Sequence, residues 1–270
     1  VPSTALNREV VVHDERPERS RVETDMFRSR PYAAIVLAFV SFLAVPSAHA
    51  QRKGNTWSGS ILKGPQDPFA EAPLTTFSYV SATWTQPSVV CTTPNAEVSI
   101  WVGLDGNGTP TVEQTGTIAV CGSAAAPLYY KAWWEMYAPD SNSTGQMLFD
   151  VSPGDVIEAS VTYTNGTFVL AITDKTTGKS STTTHTCDAA VICYRGTAEW
   201  IIERPGSGKY PLADYGKAGF SKLAVQSAGP SPTTIEMDMV DKSNNNTLLS
   251  TCNLVTISQT FIACSWVAAQ

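Results

Sequence analysis

The stretch SVTYTNGTFVLAI, residues 160–172, decides the fold. On either side of Asn165-Gly166, apolar and polar side chains alternate, which is the pattern of a strand with one buried face. Asn-Gly tolerates two successive left-handed conformations, so the dipeptide predicts a two-residue type I′ hairpin turn. A second turn, DKTTGK at 174–179, follows at once. Working outward, FSYVSATWTQ, VSIWVGLDG, TVEQTGTI, YYKAWWEMY, DVIEASVTYT, TAEWIIE, TTIEMDMVD and TFIACSWVA read as strands, with Gly, Pro, Asn or Asp between them. No segment holds a helical period for three turns. Many antiparallel strands without crossover helices predict an all-β chain, a β-sandwich. Residues 51–270 carry no linker run or repeat and suit a single domain of that architecture.

The first 50 residues read differently. From Met26 the chain runs MFRSR, then YAAIVLAFVSFLAV from Tyr32 to Val45, then Ala48-His49-Ala50 before Gln51. That is a basic segment, an apolar core too short to span a bilayer and a small-residue cleavage site, so residues 26–50 are expected to be a secretory signal peptide. Residues 1–25 are rich in Arg and Glu, show no apolar period, and are expected to be an upstream or disordered leader. The expected location is therefore extracellular, with no membrane attachment after cleavage.

Of 18 basic and 24 acidic residues, six of each lie before Gln51, leaving 12 against 18. An acidic chain with scattered Lys lacks the basic patch that nucleic acid requires, so no nucleic-acid partner is expected. All six cysteines lie after residue 50, and an even count in a secreted chain predicts disulfides. Cys252 with Cys264 would staple a terminal hairpin and Cys187 with Cys193 would close a short loop, leaving Cys91 with Cys121, although six cysteines permit other pairings. Only His185 of the three histidines follows residue 50, in the polar run SSTTTHTC with no nucleophile motif beside it. Ser-His-Asp and Cys-His chemistry thus lacks its imidazole, and no C-x-x-C or H-E-x-x-H spacing suggests a metal. No cofactor is expected. Any catalysis falls to carboxylates and amides.

Strand parity sorts the candidates. In YKAWWEMY, Lys131, Trp133, Glu135 and Tyr137 share one face while Ala132, Trp134 and Met136 form a core-like set on the other. Trp101 and Asp105 share a face with Gly103 between them. Glu199, Ile201 and Glu203 oppose Ala198, Trp200 and Ile202. Three strands therefore each place carboxylates beside apolar residues on one side. Amphipathic strands with a solvated face would show the same parity.

In order along the chain, WVGLDG at 101–106, EQTG at 113–116, KAWWEMY at 131–137 and TAEWIIE at 197–203 resemble the motifs of the glutamic peptidases, or eqolisins. SATWTQP at 81–87, SPGDVIEASVT at 152–162 and TTGK at 176–179 extend the likeness over nearly all of residues 51–270. The resemblance implies a sandwich of two bent antiparallel sheets, similar to the concanavalin A and legume-lectin type, with its site on the concave face. It implies a secreted, pepstatin-insensitive acid endopeptidase acting on protein or peptide substrates as a monomer. By motif, Glu203 would activate water as general base and return the proton as acid. Gln114 would stabilise the oxyanion through its amide N–H, a donor at any pH. Trp101, Asp105, Trp133, Glu135 and Lys131 would be cleft neighbours, and Glu199, sharing the parity of Glu203, is the rival base. The chain departs from the pattern at Lys131, where an acidic residue is common, at MYAP, and in the short distance from Ala50 to Trp57, which leaves no room for a long pro-segment. A β-sandwich glycoside hydrolase using Glu135 and Glu203, or a carbohydrate-binding module using the tryptophans, is the competing reading. Neither needs Gln114. Asn107, Asn142, Asn165 and Asn245 are glycosylation sequons.

Overall fold

Asn165 and Gly166 adopt φ of 50° and 83°, the left-handed pair that the Asn-Gly turn requires. They join β8 (Val156–Thr164) to β9 (Thr167–Asp174) in an unbroken antiparallel register from Thr164↔Thr167 to Ile157↔Asp174. The computed structural model describes residues 51–70, 72–123, 127–138, 145–256 and 260–268. All belong to one compact unit, Ser47–Gln270. The expected leader, the signal peptide and Asn142 lie outside the described residues.

The remaining strands are β1 (Gln51–Gly54), β2 (Trp57–Lys63), β3 (Thr76–Thr85), β4 (Glu97–Asp105), β5 (Val112–Cys121), β6 (Pro127–Tyr137), β7 (Gln146–Asp150), β10 (Ser180–Thr186), β11 (Thr197–Glu203), β12 (Lys217–Ala228), β13 (Thr233–Asp241), β14 (Thr247–Thr256) and β15 (Thr260–Trp266). Their order is β10-β9-β8-β3-β12-β15-β14-β13-β2-β11-β4-β5-β6-β7. The fold is a β-sandwich whose two sheets share one strand. Residues 217–220 of β12 pair with β15, and residues 221–228 pair with β3. The switch falls at a bulge between Ser221 and Ala224, where Lys222 has φ of 50°. Such an irregularity bends a strand and lets it turn a corner between sheets. Among the strand pairings of the described residues one is parallel: β1 adds to β13 with Gln51 opposite Glu236.

Alternation along the strands produces two separate apolar sets. The sandwich core takes Val80, Ala82 and Trp84 from β3, Ile157 and Val161 from β8, Val102 and Leu104 from β4, and Ala198, Trp200 and Ile202 from β11. Its members come from both sheets. The second cluster, Ile61, Trp101, Ile118, Val120, Trp133, Ile201, Ile235 and Met237, comes only from the large sheet and occupies its opposite face. Disulfides join Cys91 to Cys121, Cys187 to Cys193 and Cys252 to Cys264, the three pairs favoured by spacing. His185 stands on β10 with its ring 4.1 Å from that of Trp134 and 2.7 Å from the Thr183 hydroxyl. It packs as a half-buried ring against Trp134.

Candidate active site

Register across the large sheet stacks the candidate residues in rows. One row runs Glu203, Ser99, Ile118, Lys131 across β11, β4, β5 and β6. Two residues along the strands comes Ile201, Trp101, Gly116, Trp133, and two further on Glu199, Gly103, Gln114, Glu135. The period of the strand places all three rows on the same face, the one that carries the second apolar cluster.

Two glycines make room for the tryptophan in the middle row. A Cβ on Gly116 would lie 2.2 Å from the Ile100 carbonyl oxygen and 2.5 Å from Trp101 Cβ, so no side chain fits there. A Cβ on Gly103 would lie 3.0 Å from Trp101 Cζ3. The indole therefore leans over the bare backbone of Gly103 at one end and reaches Glu203 at the other, where Trp101 Nε1 donates to Glu203 Oε2 at 2.8 Å. In the third row Gln114 Nε2 donates to Glu135 Oε2 at 2.9 Å, which orients the amide. Gln114 Oε1 has no partner within the protein.

Electrostatics separates these carboxyls from ordinary surface ones. Burial pushes the Glu203 pKa up to about 7; the Trp101 N–H opposes the rise and the nearby charge of Glu135 adds to it. The edge of Glu203 is still partly exposed, so a carboxyl surrounded by protein retains an approach from solvent. Burial also raises Glu135, against the hydrogen bond from Gln114. Glu203, Trp101, Glu135 and Gln114 thus form one interacting set, with Trp133 packed beside them in the apolar cluster.

Two candidates have other employment. Asp105 closes β4 with φ of 62° and is fully buried, accepting hydrogen bonds from the Arg195 and Gly196 amides at 2.6 and 2.7 Å. It locks the start of β11 to the end of β4, where the left-handed residue ends the alternation. Glu199, only 1% exposed, accepts from the Asn107 amide at 2.7 Å and the Thr197 hydroxyl at 2.8 Å. Gly106, with φ of 118°, closes over it, since a Cβ there would come within 2.8 Å of Glu199 Oε2. Burial raises its pKa to about 8. Glu199 is a buried tie for the 106–107 turn, and Glu203 is the carboxyl that solvent can reach. Lys131 lies in the Glu203 row and bridges to Asp150 of β7 at 2.7 Å. The partners of Asp105 and Glu199 are chiefly backbone amides of sequence-distant loops, for which the sequence carries no signal.

The all-β fold, with the Trp101–Glu203 and Gln114–Glu135 hydrogen bonds on one face of the large sheet, is that of the glutamic peptidase class of hydrolases. The chain belongs to the Peptidase A4 family, whose model matches residues 55–266. Among solved structures, scytalido-glutamic peptidase with a transition state analog inhibitor is 27% identical with a TM-score of 0.61, covering 79% of this chain and 98% of that one. Aspergilloglutamic peptidase from Aspergillus niger is 25% identical with a TM-score of 0.50, over 64% and 99% of the two chains. SCP-B, an eqolisin solved with the tripeptide Ala-Ile-His, shares the fold at 24% identity and a TM-score of 0.59, over 79% and 98%. No curated protein sequence matches the chain. The protein is a peptidase.

Proposed function

We propose that this peptidase is a secreted acid endopeptidase in which Glu203 activates water and Gln114 stabilises the oxyanion. The observation that carries the reading is the pairing of a partly open, electrostatically strained Glu203, held by Trp101, with a Gln114 amide oriented by Glu135. Peptide hydrolysis needs a base for the attacking water, an acid for the departing amine and a donor for the oxyanion. Glu203 takes the water proton as carboxylate and passes it to the amine. Gln114 supplies a neutral N–H donor and, through Oε1, an acceptor for the water.

Beyond the effect of burial, the charge of Glu135 raises Glu203, so the two carboxyls lose their protons in turn, and the working form carries one proton and activates water when the charge sits on Glu203 and the proton on Glu135. Activity then rises as the first proton leaves, above the ordinary Glu range because burial raises Glu135. It falls as the second leaves, through the value of about 7 for Glu203. The optimum lies below neutral. Three disulfides support an oxidising, extracellular destination. Purified protein should degrade denatured haemoglobin or casein in acid, with and without pepstatin, while Glu203→Gln and Gln114→Ala abolish cleavage and Glu199→Gln retains it. Polysaccharide cleavage without proteolysis would overturn the reading. So would a dead Glu199→Gln beside an active Glu203→Gln.

A further inference from the structure

Past the row of Glu203, the face that carries it continues for one more row. Glu97 of β4 stands opposite Val120 of β5, and Val120 opposite Tyr129 of β6. Glu97 shares the parity of Ser99 and Trp101, while Val98, Ile100 and Val102 point into the sandwich core. Val120 belongs to the apolar cluster of the site face, and Tyr129 packs against that cluster. Successive residues on one face of a strand lie about 7 Å apart, and neighbouring strands about 5 Å. Glu97 is therefore one step along β4 from Ser99, the residue paired with Glu203.

The backbone of Glu97 is committed. Its N–H donates to the Pro211 carbonyl at 2.9 Å, and its own carbonyl accepts from the Ala213 N–H at 3.0 Å. The side chain is not. Among the described residues, no hydrogen bond or ion pair reaches the carboxyl; the ion pair on this face joins Lys131 to Asp150. Glu97 is half-buried, yet neither of its oxygens is enclosed, so the carboxyl can be reached from solvent. Burial raises its pKa with no donor or cation opposing. The carboxyl acts across β5 on Tyr129, whose pKa is raised by burial and by the charge of Glu97. A partly dehydrated charge without a partner is costly, and here it stands beside the candidate catalytic carboxyl. Lysine and arginine side chains suit such a row, because their charged ends pair with a carboxylate while their methylene stems lie along apolar and aromatic surface. Val120 and Tyr129 supply that surface.

We propose that Glu97 and Tyr129 form a subsite for a basic substrate side chain, lysine or arginine, within about three residues of the cleaved bond, the reach set by the spacing of an extended peptide. The proposal rests on the reading of the Glu203–Gln114 face as the site of cleavage. The subsite needs the Glu97 charge, so the preference for a cation grows as pH rises through the raised Glu97 pKa. The titratable groups around it are Tyr129, neutral in acid, Lys131, held by Asp150, and Glu203 beyond Ser99. Val120 faces it from β5, and the 211–213 segment brings no ionisable side chain.

The test begins with acid-denatured haemoglobin digested by the purified protein and mass-spectrometric mapping of the cut bonds. Lys and Arg should be enriched at one position flanking the cleavage site. Peptides that differ only in Lys or norleucine at that position should then differ by about fivefold in kcat/KM, and by more at about pH 6 than at about pH 4. Glu97→Gln should remove the difference, and Glu97→Lys should invert the preference toward an acidic side chain. Glu158→Gln, an exposed carboxyl of β8 in the other sheet, should leave the ratio as it is in the native protein. Absence of enrichment at every position, or a ratio untouched by Glu97→Gln, would overturn the proposal while leaving the Glu203–Gln114 reading intact. Digestion that survives Glu203→Gln would overturn it by a different route, removing the site on which it rests.

Discussion

The decisive residues differ in how they exploit one physical effect, the cost of burying a carboxyl. Trp101 and Glu135 act on Glu203 with opposite signs, so their substitutions should move its pKa in opposite directions. Trp101→Phe removes an N–H that favours the carboxylate, raising the Glu203 pKa and carrying the alkaline limb upward. Turnover should fall by about tenfold or more, the loss of one charged hydrogen bond. Glu135→Gln removes a negative neighbour, lowering the Glu203 pKa, while keeping an acceptor for Gln114 and fixing a neutral partner, so activity should rise through the lowered pKa with the alkaline limb lost and turnover reduced but not abolished. Measured kcat against pH for the two variants checks both. An alkaline limb retained unchanged in Glu135→Gln would contradict the coupling. The face holding Trp101, Trp133, Glu135 and Glu203 was legible in the sequence because period-two alternation is geometric. What Asp105 and Glu199 do was not, since each is decided by amides that tertiary folding brings up from loops near residues 107 and 195.

Among elements, those with strong alternation and β-branched or aromatic residues, such as β8, β9 and β11, were readable in one dimension. The others hide for identifiable reasons. β12 reads KAGFSKLAVQSA, where a bulge interrupts the alternation and the strand changes sheets. β2 carries Gly59 and two serines in a fully paired position between β11 and β13, so its backbone pairing rather than its side chains makes it a strand. Elements also differ in how much they rely on their staples. Cys91–Cys121 closes a separation of 30 residues and Cys187–Cys193 one of 6. Loop-closure entropy grows with the logarithm of loop length, giving about 3–4 kcal/mol for the first and about 2 kcal/mol for the second. Replacing each pair by Ala and measuring denaturant midpoints should rank the losses in that order. At Gly116, substitution by Ala meets backbone at 2.2 Å and should cost at least about 2 kcal/mol, with activity falling because Trp101 is displaced from Glu203.

Across the whole molecule, acid tolerance follows from where the carboxyls sit. A small number of acidic residues and a set of disulfides would suggest resistance to acid, but the structure supplies a stronger cause. Asp105, Glu113, Glu135, Glu199 and Glu203 are all raised, chiefly by desolvation. A carboxyl whose folded pKa exceeds its unfolded value binds its proton more tightly in the native state. Its contribution is fully present below the unfolded pKa and is lost as pH rises through the folded one. For Glu199, raised from 4.5 to about 8, the loss on going to neutral pH is roughly 3 kcal/mol. Two groups oppose the trend. Asp174 is lowered because donors from Thr177 and Thr176 outweigh its desolvation, and Asp150 is lowered by Lys131. Their support disappears only as pH falls below the ordinary Asp range, and Asp150 is a surface pair that counts for little. Stability should therefore be greatest in mild acid and decline from there through pH 7 to 8, over the span set by Glu203 and Glu199. Denaturant midpoints across that span should fall for the native sequence and fall less for Glu199→Gln, which cannot ionise. A midpoint that rises toward neutrality, or a Glu199→Gln profile parallel to the native one, would show that these carboxyls are already charged in the acid-stable fold.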